Sequence, residues 1–360
     1  MRKALLFNPE NDLALADGRA CYTPPPAAVA LARAGALLPM WWGDPGDVVM
    51  ASDADCHGTE SLGRDFGLKS VVGSAGDFAA VDGCEPWGWS HAALRRLAMA
   101  GVRSEVLPSA ASMDDIRRIS HRSVSVSLLT RLGVSDDSLP VEARSREEAL
   151  QAIGRFGGNA FIKLPWSSSG RGVFDVRRLN RSTLLRYVDG FIRRQGSVMV
   201  ERSRNKVSDF AMLFRCAGGK AVFEALSGFH TDAGGRYLGN MIASDDAIVS
   251  HLGIDPRGWA DPLAGAVSSV IAPYYDGWVG VDMMTECETS GARLGIVPCV
   301  EANVRMTMGV VARYVYNRLG RNMLLSVKTD SRLPAGSVDL SPVASSPGMR
   351  FVASPTAGSE

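Results

Sequence analysis

Two apolar segments joined by a polar turn constrain the fold of this chain more than any other feature. Residues 277–284 read GWVGVDMM, residues 296–309 read IVPCVEANVRMTMG, and the polar residues 288–293 lie between them. Apolar runs broken by a Gly-containing turn are typical of the two strands of a β-hairpin. A turn centred near residues 290–291 would bring Asp282 opposite residues 299–301. The sequence therefore predicts an antiparallel hairpin that carries acidic side chains in an apolar setting.

The polar residues of this hairpin are suited to a divalent cation. Because side chains alternate along a strand, Glu301, Asn303 and Arg305 share one face. With Asp282 they offer two carboxylates and an amide oxygen, which are ligands that Mg²⁺ accepts. Arg305 would stabilise phosphate or acyl-phosphate charge. The solvated face of a half-buried hairpin is an equally good interpretation of the pattern alone, and Pro298 indicates an edge or bulged strand.

A second signal is a Ser- and Gly-rich loop after a buried strand. Residues 161–173 read FIKLPWSSSGRGV, and Lys163 ends the strand. Backbone N–H groups, hydroxyls and close backbone approach suit a loop that folds over phosphates. The loop residues that would take this role are Ser167, Ser168, Ser169, Gly170 and Gly172. The spacing fits neither a Walker A loop nor a Rossmann fingerprint, and an ordinary turn between strands is the alternative interpretation.

A third signal is a pair of strands that carry acidic residues near a basic loop. Residues 198–213 read VMVERSRNKVSDFAML. Glu201 ends the first strand, and Asp209 lies near the start of the second. A carboxylate at a strand exit can accept a hydrogen bond from an adenine amino group, and a second one can hold a ribose hydroxyl. An exposed hairpin with two surface acids is the simpler interpretation of this segment alone.

Taken in their order along the chain, the three segments resemble the ATP-grasp superfamily. Its domain has a small lobe with a strand lysine and a Gly/Ser loop, a hinge strand with a nucleotide-contacting acid, and a metal hairpin of pattern D…E-x-N-x-R. The resemblance covers about 200 residues of the 360, and the order of the elements is more specific than any one of them. Val304 departs from the family pattern, which frequently has proline there.

The resemblance implies roles for individual residues. ATP would contact Arg122, Lys163, the loop residues 167–172, Glu201 and Asp209. Mg²⁺, or Mn²⁺ in its place, would be held by Asp282, Glu301 and Asn303, and the catalytic residues would be Arg305 and Lys163. Arg122 follows Ser120 in a segment similar to the family's opening helix, which we predict over residues 119–132. A lysine often reaches the phosphates from that helix.

The predicted fold class is α/β, with an α+β ATP-grasp domain preceded by a parallel-sheet α/β domain. Strand-like residues 4–7 and 71–72 alternate with helical segments, which favours a parallel sheet covered on both faces. The predicted domains are an N-terminal α/β domain (1–115), a small lobe (116–195), a large lobe with the metal hairpin (196–330) and a Ser/Pro-rich extension (331–360). The extension reads as irregular, with one candidate strand at residues 349–352.

The activity implied by the resemblance is that of an ADP-forming ligase, in which an acyl phosphate is attacked by an amine or another nucleophile. Glu10 and Asn11 follow the first strand and are candidate substrate contacts, because ligands of open α/β sheets gather at strand carboxyl ends. His230 and Arg236 lie in a Gly-rich loop and could hold a substrate carboxylate. The alternatives are an ATP-dependent kinase, a carboxylase-like transfer, and a nucleotide-binding protein without catalysis.

The charge balance bears on the class of partner. The chain carries 39 basic and 38 acidic residues, for a net charge of +1, so the sequence indicates neither a nucleic acid nor a membrane as partner. Small-molecule carboxylates and amines are the partners we expect, and a homodimer is left open. Six scattered cysteines without a C-x-x-C pair fit reduced thiols in a cytoplasmic protein.

Overall fold

Three β-sheets organise the chain. The computed structural model describes residues 1–167, 172–232, 237–287, 293–329, 333–344 and 348–356. Within these residues the strands form a parallel four-stranded sheet, an antiparallel four-stranded sheet and an antiparallel eight-stranded sheet. The predicted fold class, a parallel-sheet unit followed by mixed helix and antiparallel strand units, is confirmed.

The parallel sheet lies in the N-terminal unit. Its strands are β1 (Lys3–Leu6), β2 (Val48–Val49), β3 (Val71–Val72) and β4 (Gly83–Pro86), in the order β3-β2-β1-β4, and its helices are α1 (Asn11–Asp17), α2 (Pro26–Ala34), α3 (Cys56–Phe66), α4 (Ala75–Ala79) and α5 (His91–Met99). Ala4, Leu5 and Leu6 are fully buried, because β1 is an interior strand between β2 and β4. The chain leaves the carboxyl end of β1 at Phe7 and starts α1 four residues later, which places Glu10 at that edge of the sheet.

Two short helices connect this unit to the next sheet. They are α6 (Ala110–Ile119) and α7 (Val124–Arg131). The helix predicted over residues 119–132 is therefore wrong at its start, and Arg122 lies in the turn before α7. Local polar groups stabilise this turn: the Ser125 hydroxyl donates to Arg122 O at 2.7 Å, and Ser123 N donates to His121 Nδ1 at 3.1 Å. Such side-chain bonds compete with helix formation.

The smaller antiparallel sheet carries two helices. Its strands are β5 (Val141–Ala143), β6 (Ala160–Lys163), β7 (Val173–Asp175) and β8 (Val198–Arg202), in the order β5-β8-β6-β7, and its helices are α8 (Arg146–Arg155) and α9 (Arg181–Gln195). Ile162, Val188 and Val200 are fully buried in its core. Asn180 caps α9 by accepting from Thr183 N at 2.9 Å, and Gly196 ends the helix in the left-handed conformation.

The eight-stranded sheet forms the largest unit. Its strands are β9 (Lys206–Ala217), β10 (Lys220–Thr231), β11 (Tyr237–Ile242), β12 (Gly277–Cys287), β13 (Leu294–Asn303), β14 (Met323–Lys328), β15 (Val338–Asp339) and β16 (Arg350–Pro355), in the order β13-β12-β9-β10-β11-β14-β16-β15. Its helices are α10 (Asp245–Leu252), α11 (Ala260–Val270) and α12 (Met308–Leu319). The carboxyl end of β13 leads directly to α12, so residues 304–307 join the hairpin to a helix.

The C-terminal segment belongs to the core. The described part of the segment predicted as an irregular extension supplies β15 and β16, and β16 is longer than the predicted strand at residues 349–352. Leu340 is fully buried, and its carbonyl accepts from Trp41 Nε1 at 2.8 Å. Ala344 N donates to Asp55 Oδ1 at 2.9 Å. The segment therefore fastens the large sheet to the N-terminal unit.

The structure also bears on the cysteines and on possible membrane-spanning helices. All six cysteines are free thiols, as the scattered spacing predicts. Among the helices of the described residues, none is both long enough and apolar enough to cross a membrane.

We expect Leu340→Ala to lower the free energy of unfolding by about 2–5 kcal/mol, because it leaves a cavity in a packed core. Urea denaturation followed by circular dichroism measures this change. The matched control is Leu238→Ala, since Leu238 is 52% exposed and its truncation should change stability by no more than about 0.5 kcal/mol. Equal effects of the two substitutions would show that the C-terminal segment does not contribute to the core.

Candidate functional site

A cleft of about 1170 Å³ lies where the three sheets meet. All three units contribute polar or charged side chains to it: Glu10 from the N-terminal unit, Lys163 and Glu201 from the smaller sheet, Asp209, Asp282, Glu301, Asn303 and Arg305 from the large unit, and Arg122 from the turn before α7. The structure thus brings together most of the residues that the sequence nominates, although they lie far apart along the chain.

In the hairpin β12–β13, Asp282 lies opposite the predicted region of residues 299–301, at its far end. Asp282 pairs directly with Glu301, and Gly280 pairs with Asn303. The next pair is Met284 with Val297, so β13 contains two extra residues opposite this step. Pro298 lies in that irregular stretch, on the edge strand of the sheet, as its missing N–H requires. Both carboxylates lie next to this bulge, and both residues line the cleft.

The electrostatics of this carboxylate pair favour a cation. Burial raises the pKa of Asp282 to about 7, and the neighbouring Glu301 acts in the same direction, while Asn303 and Arg305 act in the opposite one. Among the described residues no cluster of three or more His, Cys, Asp or Glu side chains could hold a metal ion. Two carboxylates and an amide still fit Mg²⁺, because that ion takes only one or two carboxylates and completes its shell with water and phosphate oxygens.

Arg122 connects the hairpin to the smaller sheet. Its side chain is 3% exposed, and Nη1 lies 2.7 Å from Glu301 Oε2. Nη2 donates to Ser167 Oγ at 3.1 Å, and Nε donates to Leu164 O at 3.2 Å. Arg122 therefore holds the start of the Ser/Gly loop against the acidic hairpin, with its charge compensated by Glu301.

Arg305 is held by a residue that the sequence does not reveal as part of the site. Nε and Nη2 donate to the carboxylate of Asp12 at 3.0 and 2.8 Å, and Nη2 also donates to Asn303 Oδ1 at 2.9 Å. Asp12 lies in the first turn of α1 and follows the two nominated positions Glu10 and Asn11. An acidic residue beside those positions is the one signal that could have indicated it.

Lys163 and Glu201 form an ion pair at the end of β6 and β8. Both side chains are nearly buried, at 9% and 12% exposure. Glu201 Oε2 accepts from Lys163 Nζ, whereas Glu201 Oε1 is buried without a hydrogen-bond partner among the described residues. An unpaired buried carboxylate oxygen is costly, so a hydrogen-bond donor from a bound molecule would stabilise this residue of the cleft wall.

Of the other residues predicted to contact the nucleotide, the structure describes Asp209 and Gly172. Asp209 Oδ2 accepts from Thr231 Oγ1 at 2.6 Å and lies 2.5 Å from Lys206 Nζ, and all three residues line the cleft. Gly172 has φ 78° and accepts from Leu164 N at 2.9 Å through its carbonyl, which closes the base of the loop. A Cβ at this position would lie 2.5 Å from Leu164 Cδ1. Ser168, Ser169 and Gly170 lie outside the described residues.

The four substrate candidates have different positions. Glu10 lines the cleft. Asn11 is 1% exposed, and its amide group lies within hydrogen-bond distance of Gly88 O and Trp89 O, so it stabilises a loop beneath the cleft. His230 packs its ring against His251 at 5.7 Å, while Phe229 and Thr231 line the cleft, because alternate residues of β10 face opposite sides. The expectation that His230 contacts substrate is therefore corrected. Arg236 lies outside the described residues.

We expect Arg122→Met to lower the free energy of unfolding by about 3 kcal/mol, because Glu301 loses its buried partner. Urea denaturation measures the change. Arg64→Met is the matched control: Arg64 pairs with Asp65, but its side chain is 71% exposed, so its removal should cost less than about 1 kcal/mol. A stability of Arg122→Met equal to that of the control would mean that the Arg122–Glu301 pair does not support the fold.

Several solved structures share this fold over almost the whole chain. N5-carboxyaminoimidazole ribonucleotide synthetase from Thermus thermophilus is 13% identical, with a TM-score of 0.53, and the match covers 99% of this chain and 94% of that chain. Biotin carboxylase from Campylobacter jejuni is 13% identical, with a TM-score of 0.53 and coverage of 98% and 87%. The biotin carboxylase domain of Hydrogenobacter thermophilus 2-oxoglutarate carboxylase is 12% identical, with a TM-score of 0.52 and coverage of 98% and 86%.

The sequence itself matches no protein-family model and no curated protein. Similarity is therefore visible in the architecture, and the sequence identity is low. The solved structures that match are ATP-grasp proteins, and this agrees with the order of elements along the sequence. The chain has the ATP-grasp fold.

Proposed function

We propose that this chain is an ATP- and Mg²⁺-dependent ligase that activates a substrate carboxylate as an acyl phosphate for attack by an amine or another nucleophile. The observation that carries the proposal is the convergence of Asp282, Glu301, Asn303 and Arg305 with the Lys163–Glu201 pair in one cleft. A protein that only bound nucleotide would have no need of this complete set.

The adenine end of ATP would lie against the strands β6 and β8. Glu201 Oε1, which has no partner among the described residues, would accept from the adenine amino group. Asp209 would hold a ribose hydroxyl, and Lys163 would place its ammonium against the phosphates. The structures of two proteins with this fold contain nucleotide: the Hydrogenobacter thermophilus domain holds MgADP and bicarbonate, and N5-carboxyaminoimidazole synthetase from Staphylococcus aureus holds ADP.

The phosphate end would lie at the hairpin. Asp282, Glu301 and Asn303 would hold Mg²⁺, which when bound neutralises charge that develops on the phosphates. Arg305 is fixed by Asp12 and keeps its guanidinium beside Asn303. It would stabilise the negative charge of the transferring phosphoryl group and of the acyl phosphate.

The reaction would consist of two displacements. A substrate carboxylate oxygen attacks the γ-phosphorus in line, so that an O–P bond forms, the bond to the β-phosphate oxygen breaks, and ADP leaves. The amine nitrogen then attacks the acyl carbon, a C–N bond forms, and inorganic phosphate leaves as the nitrogen loses a proton. Positioning and charge neutralisation carry this chemistry, and no covalent enzyme intermediate is needed.

The competing functions on this fold differ in what ADP formation requires. A kinase would form ADP when an acceptor is present and would release the phosphorylated acceptor as its final product. A carboxylase-like enzyme would require bicarbonate for ADP formation. A non-catalytic protein would bind ATP without releasing ADP.

We place the ligase in the cytoplasm, since its cysteines are free thiols, and we propose small molecules as its partners.

We expect purified protein to release ADP from ATP only with Mg²⁺ and with both a carboxylate pool and an amine pool present. Glu301→Gln should lower kcat at least about a hundredfold, since removal of one metal ligand loses several kcal/mol of charge neutralisation in the transition state. A coupled ADP assay measures both effects.

The matched control is Glu224→Gln, because Glu224 lies on β10 of the same sheet but does not line the cleft, and the substitution should leave kcat unchanged. ADP release that needs bicarbonate but no amine would instead support the carboxylase-like function. Full activity of Glu301→Gln would contradict the assignment of the hairpin as the metal site.

A further inference from the structure

The end of the cleft next to the N-terminal unit is lined mainly by apolar side chains, whereas the end where we propose that ATP binds is lined by charged ones. Its wall consists of apolar side chains from the segment after β1, α1, α2, the loop after β4 and β16: Phe7, Leu13, Ala28, Leu31, Trp87 and Phe351. Phe7 packs edge-on against Trp87 at 5.0 Å and against Phe351 at 5.6 Å, so the wall is continuous. An apolar wall of this kind accommodates an apolar group and not a second phosphate.

This end of the cleft adjoins the catalytic arginine. Met306 N donates to Trp87 O at 2.8 Å, and Arg305 is bonded to Asp12 on α1. The first turn of α1, the loop at Trp87 and the segment after β13 therefore meet at one place. A molecule bound against the apolar wall would lie next to the site where the proposed acyl phosphate forms.

Glu10 is the acidic residue at this end of the cleft. It is 6% exposed, and its Oε1 accepts from Arg96 Nη1 at 3.0 Å. Its Oε2 is buried and has no hydrogen-bond partner among the described residues. Burial raises the pKa of Glu10, against the opposing effects of its own backbone N–H and of Arg96. A buried carboxylate oxygen without a donor is strongly disfavoured, so a donor from a bound molecule would remove a cost that the free protein carries.

We infer that this end of the cleft binds the acceptor, and that the acceptor is an amine that carries a compact apolar group. Its ammonium group donates to Glu10 Oε2 and transfers a proton to that oxygen, so that the neutral amine is the nucleophile that attacks the acyl carbon. Its apolar group packs on the wall formed by Phe7, Leu31 and Trp87. A charged donor is favoured over a hydroxyl because hydrogen bonds between ionised partners are about twice as strong as neutral ones. This inference rests on the proposed ligase function, to which it adds the substrate class.

Calorimetric titration of the full chain tests this inference with three probes that share one apolar group: 2-phenylethylamine, 2-phenylethanol and 3-phenylpropanoate. Each is titrated with and without Mg²⁺ and a non-hydrolysable ATP analogue. We expect the amine to bind at least about tenfold more tightly than the other two. Glu10→Gln should abolish this preference and leave binding of the ATP analogue unchanged.

Two further variants complete the design. Glu60→Gln is the matched control, because the Glu60 side chain is 72% exposed, and it should keep the preference for the amine. Ala28→Phe fills the apolar end and should weaken the amine and the alcohol together. Equal affinity for amine and alcohol, no binding of any probe, or a preference that survives Glu10→Gln would overturn the inference. Failure of the ATP analogue to bind while the amine still binds would instead contradict the proposed ligase function.

Discussion

The negative charge of the two carboxylates on the β12–β13 hairpin must be compensated, and this requirement determines how the other residues of the site are arranged. Asp282 and Glu301 face each other across the hairpin, where their mutual repulsion is only weakly screened by solvent. Two arginines from other parts of the chain compensate this negative charge. Arg122 comes from the turn before α7, and Arg305 comes from the segment after β13 and is itself fixed by Asp12. Each cation also bonds to a neighbouring unit, so the charge balance of the site and the arrangement of the three units depend on each other.

Two residues that line the cleft each carry a buried carboxylate oxygen without a hydrogen-bond partner among the described residues. Glu201 Oε1 lies at the proposed adenine end, and Glu10 Oε2 lies at the apolar end, both without a partner among the described residues. A stable fold normally satisfies buried polar atoms, and the exceptions need an explanation. Both atoms are oxygens of carboxylates whose other oxygen is already paired with a cation. Each can therefore accept a donor from a ligand without losing its existing partner.

Local patterns allowed most of the hairpin to be predicted from the sequence. Strand alternation and a polar turn were sufficient to place Asp282 opposite residues 299–301, but the exact pairing with Glu301 depends on the two extra residues of β13. The missing N–H of Pro298 indicated an edge or bulged strand, and β13 is both. The two-residue strand β2 (Val48–Val49) was not predicted, although the equally short β3 was. The break before Arg122 was missed because it depends on hydrogen bonds of His121, Ser123 and Ser125 that compete with the helix. Long-range contacts could not be predicted at all: Asp12 and Arg305 are 293 positions apart, and no pattern in either segment indicates their pairing.

Two further differences between the sequence-based prediction and the structure also arise from contacts between distant parts of the chain. The C-terminal segment was predicted to be irregular apart from one strand at residues 349–352, whereas β16 pairs with β14 over residues 350–355 and so belongs to the large sheet. His230 was assigned to a loop, whereas it belongs to β10, and strand alternation turns its ring away from the cleft.

The position of a bound Mg²⁺–nucleotide complex tests this account most directly. A crystal structure of the protein with Mg²⁺ and a non-hydrolysable ATP analogue should show the ion about 2.1 Å from oxygens of Glu301 and at least one other hairpin residue. The adenine amino group should lie within hydrogen-bond distance of Glu201 Oε1. A nucleotide bound elsewhere on the molecule, or bound in the cleft with no ion at Asp282 and Glu301, would contradict the account.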